Sequence, residues 1–225
     1  MKTSKSVVLV ILLLLAAHTA VNSQTASTNY PARPVALPDA QEIALAESAA
    51  PATIGKHAAV YTIRAGQPVR IREGSNGVTC MVARDLHPGS LYPICFDAEG
   101  SRTHLWRELM EVGLRSEGKS EDEVKDAVKR AFSDGKLKLP EKMSVSYMMS
   151  PHQVLFSSPN ANGRRVGAWW PHLMISAPDL SAAAIGITTP QRDIPFSVDG
   201  EGGREQLIVQ LPSWSDGSPV AKRAE

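Results

Sequence analysis

The hydrophobic period changes twice along this chain, from two residues to about 3.6 and back to two, and that alternation restricts the fold more than any single residue does. Between residues 58 and 96, Val60, Thr62 and Arg64, then Val69, Ile71 and Glu73, then Val78, Cys80 and Val82 alternate with neighbours of different character, which is the pattern of β-strands. Ala65-Gly66-Gln67 and Glu73-Gly74-Ser75-Asn76-Gly77 are short turn-forming connections, so consecutive strands are expected to pair antiparallel as a meander. A further connection through Pro88-Gly89 returns the chain to a fourth strand near Tyr92–Phe96. From Ser101 the spacing becomes helical, with Leu105, Leu109, Val112 and Leu114 forming a stripe that stops near Gly118. Ser120-Glu121-Asp122-Glu123 then fits a capping box, and Val124, Ala127, Val128, Ala131 and Phe132 form the buried stripe of a second helix ended by Asp134-Gly135. After Pro140 strand patterns return at residues 144–149, 153–157, 172–177 and 205–211. The expected class is therefore α+β: an antiparallel sheet, an N-terminal meander plus C-terminal strands, with a central helical pair packed on one side.

The ends of the chain belong to a different regime. Lys2 and Lys5 precede an apolar run over residues 6–17, and Val21-Asn22-Ser23 offers a cleavage site before Gln24, the three-part plan of a secretory signal peptide over residues 1–23. The run is about a dozen residues, short of the roughly 20 that cross a bilayer, so cleavage is favoured and no stable membrane span is expected afterwards. The expected address is the periplasm or the exterior. Residues 24–38, broken by Pro31, Pro34 and Pro38, read as a flexible linker, residues 39–211 as one globular domain, and residues 212–225 as a frayed tail. Asp39 is expected to cap a short, weakly packed helix that runs to about Ala49. Without the signal, 22 basic residues face 23 acidic ones, which removes the electrostatic argument for nucleic acid or an anionic membrane surface as partner.

Cys80 and Cys95 are the only cysteines, and an exported pair is expected to form a disulfide. The bridge closes a 16-residue loop worth about 3 kcal/mol on chain entropy, provided the Cα atoms lie within about 4.4–6.8 Å. A catalytic Cys95 thiolate is the alternative, but nothing basic flanks it to lower its pKa.

Local signatures of large enzyme classes are missing: no Gly-x-Ser-x-Gly elbow, no phosphate-binding glycine loop and no His-Glu-x-x-His helix is present. Gly200-Glu201-Gly202-Gly203 precedes a strand and reads as a turn. His57, His87, His104, His152 and His172 are scattered singly, so no metal site and no cofactor is expected. Three constellations remain. Asp97, Glu99, Arg102 and His104 lie at a strand-to-helix passage, where a carboxylate with His104 suits acid–base work and Arg102 suits an anionic group, although Asp97 or Ser101 as a helix cap and a Glu99–Arg102 pair explain them better. Trp169-Trp170-Pro171-His172, beside Arg164-Arg165, suits a sugar, peptide or hydrophobic ligand, yet adjacent residues of an extended segment point to opposite faces, leaving one tryptophan for the core and one for the surface. Tyr147-Met148-Met149 reads as core filling.

Asn76-Gly77-Val78-Thr79-Cys80, the run from Cys95 to Thr103, Ser116-Glu117-Gly118-Lys119-Ser120, Met149-Ser150-Pro151 and Trp170-Pro171-His172-Leu173-Met174 together resemble a group of exported bacterial proteins with no established activity, over about residues 39–211. The resemblance implies a bacterial source and no mechanism. Two functions follow as expectations. The first is a non-catalytic exported module that binds a small molecule, peptide or envelope partner through Trp169 and Trp170. The second is a hydrolase or transferase with a composite acid–base site drawn from Asp97, Arg102, His104 and His172.

Overall fold

Alternating segments separated by glycine-bearing turns close into hairpins, and in the computed structural model they assemble one large sheet. The structure describes residues 37–84, 90–156, 165–167, 169–186, 195–199 and 205–220; the expected signal peptide, most of the linker, His87, Arg164 and the Gly200–Gly203 cluster lie outside them. Strands β1 (Ala59–Arg64), β2 (Gln67–Arg72), β3 (Thr79–Ala83), β4 (Tyr92–Phe96), β5 (Ser144–Met148), β8 (His172–Ser176), β9 (Phe196–Asp199) and β10 (Glu205–Gln210) form an eight-stranded sheet in the order β2-β1-β3-β4-β5-β8-β10-β9. A separate ribbon pairs β6 (Leu155–Phe156) with β7 (Arg165–Gly167). With α1 (Asp39–Glu47), α2 (Ala52–Gly55), α3 (Ala98–Arg102), α4 (His104–Ser116), α5 (Glu121–Ser133) and α6 (Ala182–Ile185), the protein is of the α+β class.

The meander expectation fails at one connection. β1 and β2 are an antiparallel hairpin, but β3 pairs with β1 in parallel on the other side, which leaves β2 at the sheet edge. The chain crosses under the start of β1, where Ser75 donates to the His57 carbonyl and Ala59 to that of Val78. Gly74 permits this crossing: a Cβ there would lie 2.2 Å from the Ala59 nitrogen. Every other ladder of the sheet is antiparallel.

The two sides of the sheet are covered by different chemistry. On one side Leu105, Leu109 and Val112 of α4 pack on Ile63, Met81, Ile94, Phe96 and Met148. Helix α5 lies against α4, opened by the expected capping box, in which Ser120 Oγ accepts from Glu123 N–H at 3.3 Å and Glu123 Oε2 accepts from Ser120 N–H at 2.9 Å. On the other side the small residues Ala46, Ala49 and Ala50 let α1 and its exit approach Val60, Cys80, Val82 and Cys95 closely. Helix α1 is thus not weakly packed, nor does Asp39 cap it; Pro38 holds the N-cap position and Asp39 pairs with Arg64 at 2.6 Å. Glu42, fully buried, receives the Arg84 guanidinium at 2.8 and 2.6 Å and the Thr62 hydroxyl at 3.1 Å. Its charge is therefore paired and its lone pairs are used, as a buried carboxylate requires.

The expected disulfide is present. Cys80 and Cys95 face each other across β3 and β4 with Cα atoms 4.0 Å apart, closer than the usual interval because the two residues are directly opposed. The tail expectation is corrected up to Val220. Ser215 N–H donates to the Met149 carbonyl at 2.9 Å and its hydroxyl to the Ser48 carbonyl at 2.5 Å, and Val220 N–H donates to Pro212 at 3.1 Å, so the segment is tied to the domain by backbone groups that need donors.

Candidate functional site

Helix α3 starts where β4 ends, and Asp97 makes the junction. Its Oδ1 accepts from Gly100 N–H at 2.7 Å and from the Ser144 hydroxyl at 3.1 Å, while Oδ2 accepts from Val145 N–H at 2.9 Å. The carboxylate is a helix N-cap that also staples α3 to β5. Glu99 accepts from Glu141 N–H at 2.7 Å and pairs with Arg102. Burial pushes the Glu99 carboxyl up, but the Glu141 N–H and the Arg102 guanidinium outweigh it and hold the group below its ordinary range. Arg102 itself is mostly solvent-exposed.

His104 opens α4 and is buried. Burial and then the nearby Arg107 guanidinium push its pKa down to about 4, against a smaller upward pull from Asp97 and Glu99. The ring is neutral at pH 7, and its Nε2 is shielded from solvent without a hydrogen-bond partner among the described residues. Further along α4, Arg107 pairs with Glu108 and Glu111, and Arg115 with Glu111 and Glu121. These carboxylates offset the desolvation of both guanidiniums and hold their pKa values above the ordinary one, as in a structural ion network.

The structure does not bring Asp97 and His172 together, whereas His104 lies near enough to Asp97 and Glu99 to feel their charge. Asp97 lies opposite Val145, whereas His172 is paired with Met148 and is therefore level with Ile94. Asp97 and His172 are separated by about three residues along the strands, ~10 Å, and by two strand spacings, ~10 Å, across them. No hydrogen bond or single water spans that gap. Among the described residues no group of three or more His, Cys, Asp or Glu side chains is arranged to hold a metal ion, and no helix is long and apolar enough to cross a membrane.

A different set meets at the other end of β4. Tyr92, buried, packs its ring at 5.4 Å against Trp169, and Trp169 meets His172 edge-on at 6.4 Å. Trp169 nonetheless leaves 46% of its surface in solvent, while Trp170 is half-buried, the opposed orientation that an extended pair dictates. His172 is buried and its Nδ1 lies 2.6 Å from the Trp170 carbonyl oxygen. Burial lowers the His172 pKa despite that carbonyl, so the ring is neutral. Across the ladder on its other side stands Gln210, whose Oε1 is shielded from solvent with no hydrogen-bond partner among the described residues.

Tyr92 and Gln210 escape a sequence reading because they join this site only through long-range strand pairing. Trp106 escapes it too. It is 42% exposed, meets Tyr61 edge-on at 5.9 Å, and borders an open groove of about 330 Å³ with Pro68, Met110 and Leu114. Its place beside the α4 stripe, rather than on it, was the available signal. Compared with known protein families, characterised proteins and solved structures, the chain matches none.

Proposed function

We propose that the protein is an exported, non-catalytic binding module, bacterial in source, which takes a small molecule or an envelope component on the aromatic platform of Trp169. One observation carries this reading: an indole left nearly half in solvent although its ring is fixed by a buried tyrosine and a buried histidine. A large apolar ring held rigid and exposed costs little entropy when a ligand covers it, which is how binding sites use tryptophan. The buried Cys80–Cys95 bridge supports the exported address, since such bonds persist in oxidising compartments. N-terminal sequencing of secreted material is expected to start at Gln24.

The test of binding is to replace Trp169 and Trp170 separately and titrate each variant while reading tryptophan emission. Trp169→Ala is expected to keep the fold and weaken ligand binding at least tenfold, roughly 1.4 kcal/mol or more. Trp170→Ala, a half-buried position, is expected to act on stability. Ligand affinity indifferent to Trp169→Ala sinks the proposal.

A further inference from the structure

We infer that the open edge of β2 is an interaction surface for an extended strand, and that residues 24–36 of this same chain fill it, anchored by Arg33 on Glu117. The surface is independent of the Trp169 platform. β2 ends the eight-stranded sheet, and the hairpin fixes what its edge offers. Arg64 and Gln67 close a two-residue turn, so the Arg64/Gln67 and Thr62/Val69 pairs exchange backbone hydrogen bonds while Ile63/Pro68 and Tyr61/Arg70 do not. The Pro68 carbonyl and both backbone groups of Arg70 therefore point away from β1, where no described strand meets them. Such an edge is a template for another strand. Its flanks are uncovered on both faces of the sheet. Val69, level with Thr62 on the α1 side, is 37% exposed, and Pro68, Trp106 and Met110 line the groove on the α4 side. A ligand packed on one face leaves the other bare, whereas a strand in the plane of the sheet sends alternate side chains to both.

The chain itself brings such a segment to this place. Leu37, where the described chain begins, is held through its carbonyl by the Arg64 guanidinium at 3.0 Å, and Arg64 pairs with Gln67, the first residue of β2. Residues 24–36 therefore end beside the hairpin turn, and fully extended they reach about 40 Å, twice the ~20 Å of β2. They run toward the turn and β2 runs away from it, so the pairing is antiparallel. Residues 25–30 contain no proline and match the 6 residues of β2 in length. Pro31 and Pro34, which cannot donate a hydrogen bond, fall in the return to Leu37. This direction puts Tyr30, the one aromatic residue of the segment, at the groove end of β2. Charge agrees with it. Arg33 is the one charged residue of the segment, and Glu117 stands exposed over the turn, so close to Gly66 that a Cβ there would collide with its carboxylate.

The experiment reads amide hydrogen exchange by NMR, residue by residue, in the secreted protein. Alternate amides of residues 25–30 and the Arg70 amide are expected to exchange at least about tenfold slower than in an unstructured peptide. Ala26→Pro together with Thr28→Pro breaks the added strand, and is expected to return the Arg70 amide to within about threefold of the unstructured rate while β3 and β4 amides stay unchanged. Arg33→Glu is expected to cost about threefold of the protection, and Glu117→Arg to restore it in the double variant. A ligand-free, purely structural tether at Leu37 gives neither the proline effect nor the charge-swap rescue. Unstructured rates throughout residues 25–30 overturn the inference. Protection that rises with protein concentration also overturns it and assigns the edge to a second copy of the chain. Arg70 protection that survives the proline pair overturns the strand pairing, and failure of Glu117→Arg to rescue overturns the anchor.

Discussion

The two ends of β4 carry similar residue types and use them in opposite ways. At the Asp97 end, a carboxylate, a histidine and an arginine form an arrangement that resembles acid–base machinery, yet both Asp97 oxygens are taken by Gly100, Ser144 and Val145. Glu99 is likewise taken by Glu141 and Arg102. At the Tyr92 end the aromatic and polar groups are held firmly but not used up: Trp169 remains half in solvent and Gln210 Oε1 has no donor among the described residues. The difference lies in the carboxylates and in the exposed indole: His104 Nε2 at one end and Gln210 Oε1 at the other both lack a hydrogen-bond partner among the described residues, but only the Tyr92 end keeps a large aromatic ring open to solvent. Three of the roughly four lone-pair sites of the Asp97 carboxylate are spent on the junction, so it holds the helix in place and keeps little capacity for a substrate.

The sharpest way to break this contrast is Asp97→Ala. It strands the Gly100 and Val145 N–H groups and removes the cap of α3, and the expected loss is about 4 kcal/mol in urea unfolding. A loss under about 1 kcal/mol would show that the Asp97 end is not structural. The next effect is a pH dependence from His104. Its folded pKa, near 4, lies below the unfolded value near 6.5, so the folded state binds fewer protons than the unfolded one in that window. Stability is therefore complete above about pH 6.5 and falls as pH drops toward 4, by about 3 kcal/mol from this buried ring. His172, lowered by burial, adds in the same direction. Unfolding free energies compared between pH 8 and pH 4 should show a visibly shallower slope in His104→Leu than in the wild-type protein. Identical slopes would mean that the His104 ring is protonated in the fold.

Smaller again is the stability effect of Trp169→Ala, about 1 kcal/mol, because nearly half of the residue is already in water and the lost ring contacts are a tilted one with Tyr92 and an edge-on one with His172. A loss of several kcal/mol in thermal or urea unfolding would move Trp169 from the platform into the core and erase the distinction between the two ends.

How much of this was legible follows from the range of each signal. The capping box at Ser120 and Glu123 spans four residues and carries its own hydrogen bonds, so it reads directly, as does the Asp97 cap. The disulfide also reads, because the strands that hold its two cysteines are consecutive. The parallel pairing of β1 with β3 does not, since it depends on a crossing that Gly74 permits by backbone proximity, and no periodicity encodes which side of β1 the third strand takes. Helix α1 looked weak because alanines bury little area each; their value lies in letting the helix approach Cys80 and Cys95. At the platform the Trp169 and His172 positions were visible, whereas Tyr92 and Gln210 arrive from strands distant in the chain.

Arg102→Ala has the smallest expected effect and decides most cleanly whether the Asp97 end has any chemistry left. The Arg102 side chain is mostly in water and its described partner is Glu99, so removing it is expected to cost about 0.5 kcal/mol or less, as for exposed ion pairs in general. Glu99 keeps its contact with the Glu141 N–H, so the junction holds. An unchanged Tm together with unchanged ligand binding fits a surface ion pair. An unchanged Tm with lost binding of an anionic ligand would instead place a functional arginine where every neighbouring carboxylate is already occupied, and the contrast between the two ends would then fail at the residue where it is easiest to test.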